Sequence, residues 1–222
     1  MNWLNMAYSL PGIILGLTLH EFCHAGAAYK LGDHTARDMG RLSFNPLRHI
    51  DMIGFLFILF AGFGWAKPVQ FSPANLSRPR RDKALIAAAG PLSNFLLALI
   101  FIILLKGYFA LIQYSNISEN QELFSVFNSS FFYYLFRIIL QAAVINLGLF
   151  IFNLIPLPPL DGSHIAFSGL NLRPETEYRI MKIGAPLLFI IILIKNLTKL
   201  TILPIGELVW LILSLFIPEF RA

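Results

Sequence analysis

Six apolar stretches alternate with polar ones along the chain, and their lengths predict helices: Leu4 to Tyr29, Met52 to Ala66, Ala84 to Leu105, Phe131 to Ile155, Ile183 to Ile194 and Leu200 to Ile217. Three of them reach the roughly 20 residues that cross a bilayer. Met52 to Ala66 is short for a span and is expected to be re-entrant or interfacial. Between the runs lie polar segments at 30–51, 67–83, 106–130 and 156–182, rich in Pro, Gly and charge.

Composition decides what these runs are for. Of 222 residues, 57% are hydrophobic and only 13% are charged, about half the charge that a water-facing domain carries. Disorder, collagen-like repeats, coiled coils and a disulfide scaffold are excluded, the last also because Cys23 stands alone. The expected fold is an all-α membrane protein: a polytopic helical bundle of about five to six spans, in one membrane-embedded domain over residues 1–222. Two polar pieces, 40–46 and 65–71, alternate like short strands and predict small membrane-associated β segments.

The net charge of +5 changes the picture only through its placement. Basic residues cluster at 30–83 and 156–182 beside apolar runs, which points to a cytoplasmic side and anionic lipid, not to nucleic acid. No basic residue precedes the first run, so it does not look like a signal peptide. A multi-pass protein of a prokaryotic cytoplasmic membrane is expected, with an outside N-terminus.

The first run holds the chemistry. His20-Glu21-Phe22-Cys23-His24 fits H-E-x-x-H: on a helix the two imidazoles share a face and can reach one cation, with Glu21 beside them as a general base. Titratable groups inside an apolar run are costly and mark function. Hydrolytic zinc takes three protein ligands and leaves one position open. From the residues alone, Asp161, His164, His49, Asp51 and Glu207 are open as the third.

Asp161 ends Asn153-Leu154-Ile155-Pro156-Leu157-Pro158-Pro159-Leu160-Asp161-Gly162. The prolines end the helix, and Gly162 permits a tight turn after the carboxylate. Asp161 could equally cap a helix starting near Ser163. Asn94 lies in Gly90-Pro91-Leu92-Ser93-Asn94, where small residues allow close helix approach. Both Asn94 and Asn153 carry amides that need partners at depth.

H-E-x-x-H in an apolar helix, G-P-x-x-N in a later one and N-x-x-P-x-P-P-L-D-G at the end of another resemble the site-2 protease family of intramembrane zinc metalloproteases. The resemblance covers about Leu4 to Leu170 and implies that His20, His24 and Asp161 bind one Zn2+ and that Glu21 is the base. It also implies that Asn153 stabilises the tetrahedral intermediate, that Asn94 lines the site, and that substrate adds as a strand near 40–46 and 65–71. No insert is long enough for a PDZ domain and no CBS pair follows, so the resemblance is to a compact form.

The implied reaction is hydrolysis of peptide bonds within or near the transmembrane segment of a single-span membrane protein. A metal-ion transporter is the alternative, yet neither an internal repeat nor polar residues spread over several spans are present. An inactive membrane scaffold is a third reading, disfavoured by the intact His20, Glu21, His24 and Asp161.

Overall fold

The computed structural model describes residues 3–61, 64–117, 121–127, 129–170, 172–198 and 203–220. Among the described residues nine α-helices follow one another: α1 Trp3–Lys30, α2 Thr35–Asp38, α3 Met52–Ala61, α4 Pro79–Ile117, α5 Gln121–Phe127, α6 Ser130–Asn153, α7 Asp161–Leu170, α8 Pro174–Thr198 and α9 Ile205–Phe216. The frame is α1, α4 and α6 packed pairwise, with α7 against α4 and α9 against α6.

Local chemistry explains the boundaries. Pro79 starts α4 where a missing N–H costs nothing, and Asp82 accepts the Arg78 N–H at 2.8 Å. α6 stops just ahead of Pro156, Pro158 and Pro159, the last following a cis peptide bond. Gly12 and Gly16 let α1 lie against α6, where a Cβ would overlap Ala142 and Asn146 respectively. A core of Ala98, Ile102, Leu105, Ala143, Leu147 and Leu213 joins α4, α6 and α9.

The expected five to six spans are not found. Among the described residues, only α4 and α6 are long and apolar enough to cross a membrane. α1 has the length, but His20, Glu21, His24 and Lys30 dilute its apolar character. The first half of α8 is charged through Glu175, Glu177, Arg179 and Lys182, while α3 and α9 have only 10 and 12 residues. The expected loop at 106–130 is largely helix, because α4 runs on past Lys106 to Ile117 and α5 follows.

The expected β segments are absent too. Among the described residues there is no strand, only one isolated antiparallel bridge between Ile50 and Ala66. A ladder fails here for want of free donors. Pro46, Pro68 and Pro73 have no N–H, and the Val69 and Ser72 N–H groups are taken by the side chains of Glu21 and Asp33. Segment 64–72 therefore lies extended, held by carboxylates from α1 and the turn after it.

The outer face of α4 shows what surrounds the bundle. Leu92, Leu96, Ile100 and Ile103 recur at helical spacing and stand exposed. Such a stripe suits acyl chains rather than water.

Candidate metal centre

α1 carries His20 and His24 one turn apart, both buried. Their Nε2 atoms stand 3.0 Å from each other. Asp161, the first residue of α7, brings Oδ2 to 3.2 Å from His20 Nε2 and 3.4 Å from His24 Nε2. One potential ligand atom from each of the three lies within 4.8 Å of the others. Of the five candidates for a third ligand, Asp161 alone joins the histidines. His164 lines the same cavity without joining that group, His49 turns to the Ser43 carbonyl at 2.6 Å, Asp51 accepts the Gly54 N–H ahead of α3, and Glu207 sits exposed on α9.

The other nitrogen of each ring is committed. His24 Nδ1 donates to the Ile86 carbonyl at 2.7 Å, since a carbonyl only accepts. His20 Nδ1 lies 2.7 Å from Asn94 Oδ1, and the Asn94 amide donates in the other direction, to the Gly16 carbonyl and Asn146 Oδ1. With both Nδ1 atoms protonated, a neutral ring presents a lone pair at Nε2. Two such lone pairs and a carboxylate oxygen face one another with no donor between them, and Asp161 Oδ2 is buried with no hydrogen-bond partner. Three acceptors converging with no donor among them call for a cation, so this donor set fits a metal of zinc's ligand preference.

Gly90 completes the fit. A Cβ there would overlap His24 Nε2 and His20 Cε1, so the glycine of G-P-x-x-N exists to let α4 touch the imidazole pair. Gly162 likewise serves by closeness: a Cβ would overlap the Leu154 and Ile155 carbonyls. It is part of α7, and its φ is not positive.

Glu21, next to His20 on α1, is buried, with Oε2 accepting the Val69 N–H at 3.0 Å. A cavity of about 470 Å³ opens beside it, walled by Glu21, Val69, Phe71, Phe152, Asn153 and His164. Asn153 reaches this cavity while its Nδ2 donates to the Leu149 carbonyl at 3.0 Å. Asn94 is fully buried behind His20 and does not wall the cavity; it orients a ring. Cys23 stands half-buried outside the cluster.

The model of peptidase family M50 matches residues 8–194. The chain belongs to peptidase family M50. This is the site-2 protease family that the motifs resemble. Two relatives carry the name "Putative zinc metalloprotease". YwhC of Bacillus subtilis (strain 168) is 41% identical over 160 residues, 72% of this chain and 68% of its own. Rip2 of Mycolicibacterium smegmatis is 28% identical over 173 residues, 76% of this chain and 58% of its own. The chain thus spans less than two thirds of Rip2. No solved structure matches it significantly. Membership in M50 makes a metalloprotease of this chain and sets it among membrane proteins.

Two features of this M50 site were not anticipated. Asn146, fully buried, extends the His20–Asn94 contact by donating to the Gly12 and Ala142 carbonyls. The same argument that singled out Asn94, an amide in an apolar helix, applies to it. Arg41, buried behind Glu21, carried no signal beyond being one arginine of a basic stretch.

Proposed function

We propose that this M50 protein is an intramembrane zinc protease that cuts single-span membrane proteins within or near their transmembrane segments. The observation that carries the reading is the convergence of His20 Nε2, His24 Nε2 and Asp161 Oδ2 next to a buried carboxylate and a cavity. His20, His24 and Asp161 would hold the ion, which would supply the Lewis acidity that lowers the pKa of a water toward neutrality and polarises the scissile carbonyl. Glu21 takes the proton of the attacking water and returns it to the leaving amine. Asn153, swinging off the Leu149 carbonyl, donates its amide to the developing oxyanion. Asn94 acts through His20 by fixing its tautomer.

α4 and α6 span the bilayer. Arg78, Arg80, Arg81 and Lys83 gather at the start of α4, so the positive-inside rule assigns that end, and with it the mouth of the site, to the cytoplasm. The substrate segment must unwind locally, because a helical peptide bond is shielded by its own hydrogen bonds; substrates with helix-weakening residues are the expected class.

The test is metal quantitation on the purified protein, then incubation with a panel of single-span substrates, comparing wild type with Glu21→Gln. One zinc per chain in both and cleavage by wild type alone is the expected result. Equal turnover by the variant sinks the assigned base; zinc movement across vesicles without cleavage would favour a transporter.

A further inference from the structure

The segment 41–50 and the extended segment 64–72 meet behind Glu21, and one side chain joins them. Arg41 is only 4% exposed. Its guanidinium donates through Nη1 to the Arg48 carbonyl and through Nη2 to the Lys67 carbonyl. The same Nη2 faces Glu21 Oε2 at 3.8 Å. Around it, the Lys67 N–H donates to the His49 carbonyl at 2.7 Å, and Ile50 bridges Ala66. Glu21 Oε2 in turn accepts from Val69, two residues beyond Lys67.

A buried cation requires an anion, and Glu21 is the carboxylate within ion-pair range. Two carbonyls on different segments and a nearby carboxylate, met at once by one side chain, are a demand that a guanidinium fork meets and an ammonium does not. His49 is fully buried in the same knot. Its burial, and secondarily the Arg41 charge, push its imidazole below the ordinary value, so Arg41 supplies the positive charge there.

We propose that Arg41 is a positioning residue for hydrolysis: it locks the 64–72 wall of the cavity to the 41–50 loop and sets that wall and the Glu21 carboxylate in one register. This rests on the protease reading of the site. Arg41 touches none of His20, His24 or Asp161, so its loss is expected to leave metal content alone. What it moves is the base relative to the wall that receives the substrate, and a displacement of about 1 Å there costs on the order of 100-fold in rate.

The experiment compares wild type, Arg41→Lys, Arg41→Ala and Glu21→Gln by zinc content, kcat and KM, and by hydrogen exchange of a peptide covering 64–72. Expected are one zinc per chain throughout, kcat down about 100-fold in Arg41→Ala with KM raised, and faster exchange over 64–72 in both arginine variants. Guanidinium ion added to Arg41→Ala should restore part of kcat, which methylammonium should not; a loss through general unfolding would not respond. If Arg41→Ala does not fold, Arg41→Lys decides, because it keeps the charge and loses the fork. Wild-type kcat and KM in Arg41→Lys, or zinc lost from a folded arginine variant, overturns the proposal. Inactive wild type or active Glu21→Gln overturns the protease reading instead, and the exchange data still judge the lock.

Discussion

His20 Nδ1 and Asn94 Oδ1 meet at 2.7 Å, 74 positions apart in the chain. That contact decides which nitrogen of His20 faces Asp161. Asn94→Ala leaves a buried N–H without an acceptor and releases the ring. Zinc affinity should fall about 10- to 100-fold, measured by competition with a chromogenic chelator; unchanged affinity would mean that the ring needs no orienting partner.

Gly90→Ala tests the close approach of α4 to the imidazole pair. Replacing a helical glycine by alanine favours the helix by about 1 kcal/mol, yet the new methyl overlaps both hydrogen-bonded imidazoles, and overpacking of that kind costs about 1–3 kcal/mol. The expected protein folds, melts somewhat lower than wild type without metal, and binds zinc poorly. Normal zinc content would show that the imidazoles can retreat from α4.

Metal should stabilise the fold through Asp161. A ligand at 100 times its dissociation constant adds about 2.7 kcal/mol to the folded state. Zinc is expected to raise the melting temperature of wild type and to do much less for Asp161→Asn, in which a neutral amide replaces the carboxylate. A rise of equal size in the variant would remove Asp161 from the ligand set.

Asn153→Ala tests the oxyanion role. The side chain walls the cavity but makes no contact with the metal group. kcat should drop about 100- to 1,000-fold at constant zinc content. A rate within a few-fold of wild type would reduce Asn153 to a helix-end residue.

Asp33 gives an acid limb to stability. It is fully buried; burial alone would raise its pKa, but the hydrogen bonds from Thr35, Asn75 and the Ser72 N–H outweigh that and hold the carboxyl below its ordinary range. The folded pKa is the depressed one, so the stabilisation is complete above the unfolded value of about 3.9 and is lost as pH falls through the lower folded value. Melting temperature should fall in that acid window for wild type and stay flatter for Asp33→Asn, which should itself be less stable near pH 7 by about 2 kcal/mol. Parallel acid limbs in the two proteins would contradict this.

The sequence by itself determined two of the three donors, because H-E-x-x-H on a helix fixes two imidazoles one turn apart, while the prolines after Asn153 dictate only that α6 ends before Asp161. It also determined that the chain is helical and too poorly charged to face water alone. It misjudged the spans, because run length ignores the polar residues inside α1 and because the shorter runs end up in helices that are too short, α3 and α9, or half charged, α8; it misjudged 40–46 and 65–71, because alternation does not reveal that side chains already occupy the donors of a strand. Only tertiary structure chose Asp161 over His164, His49, Asp51 and Glu207, turned Asn94 from cavity wall to ring support, and brought Arg41 behind Glu21. The reason is physical: a motif fixes neighbours along one helix, whereas which atoms from distant segments share a point depends on how closely α1, α4 and α6 pack.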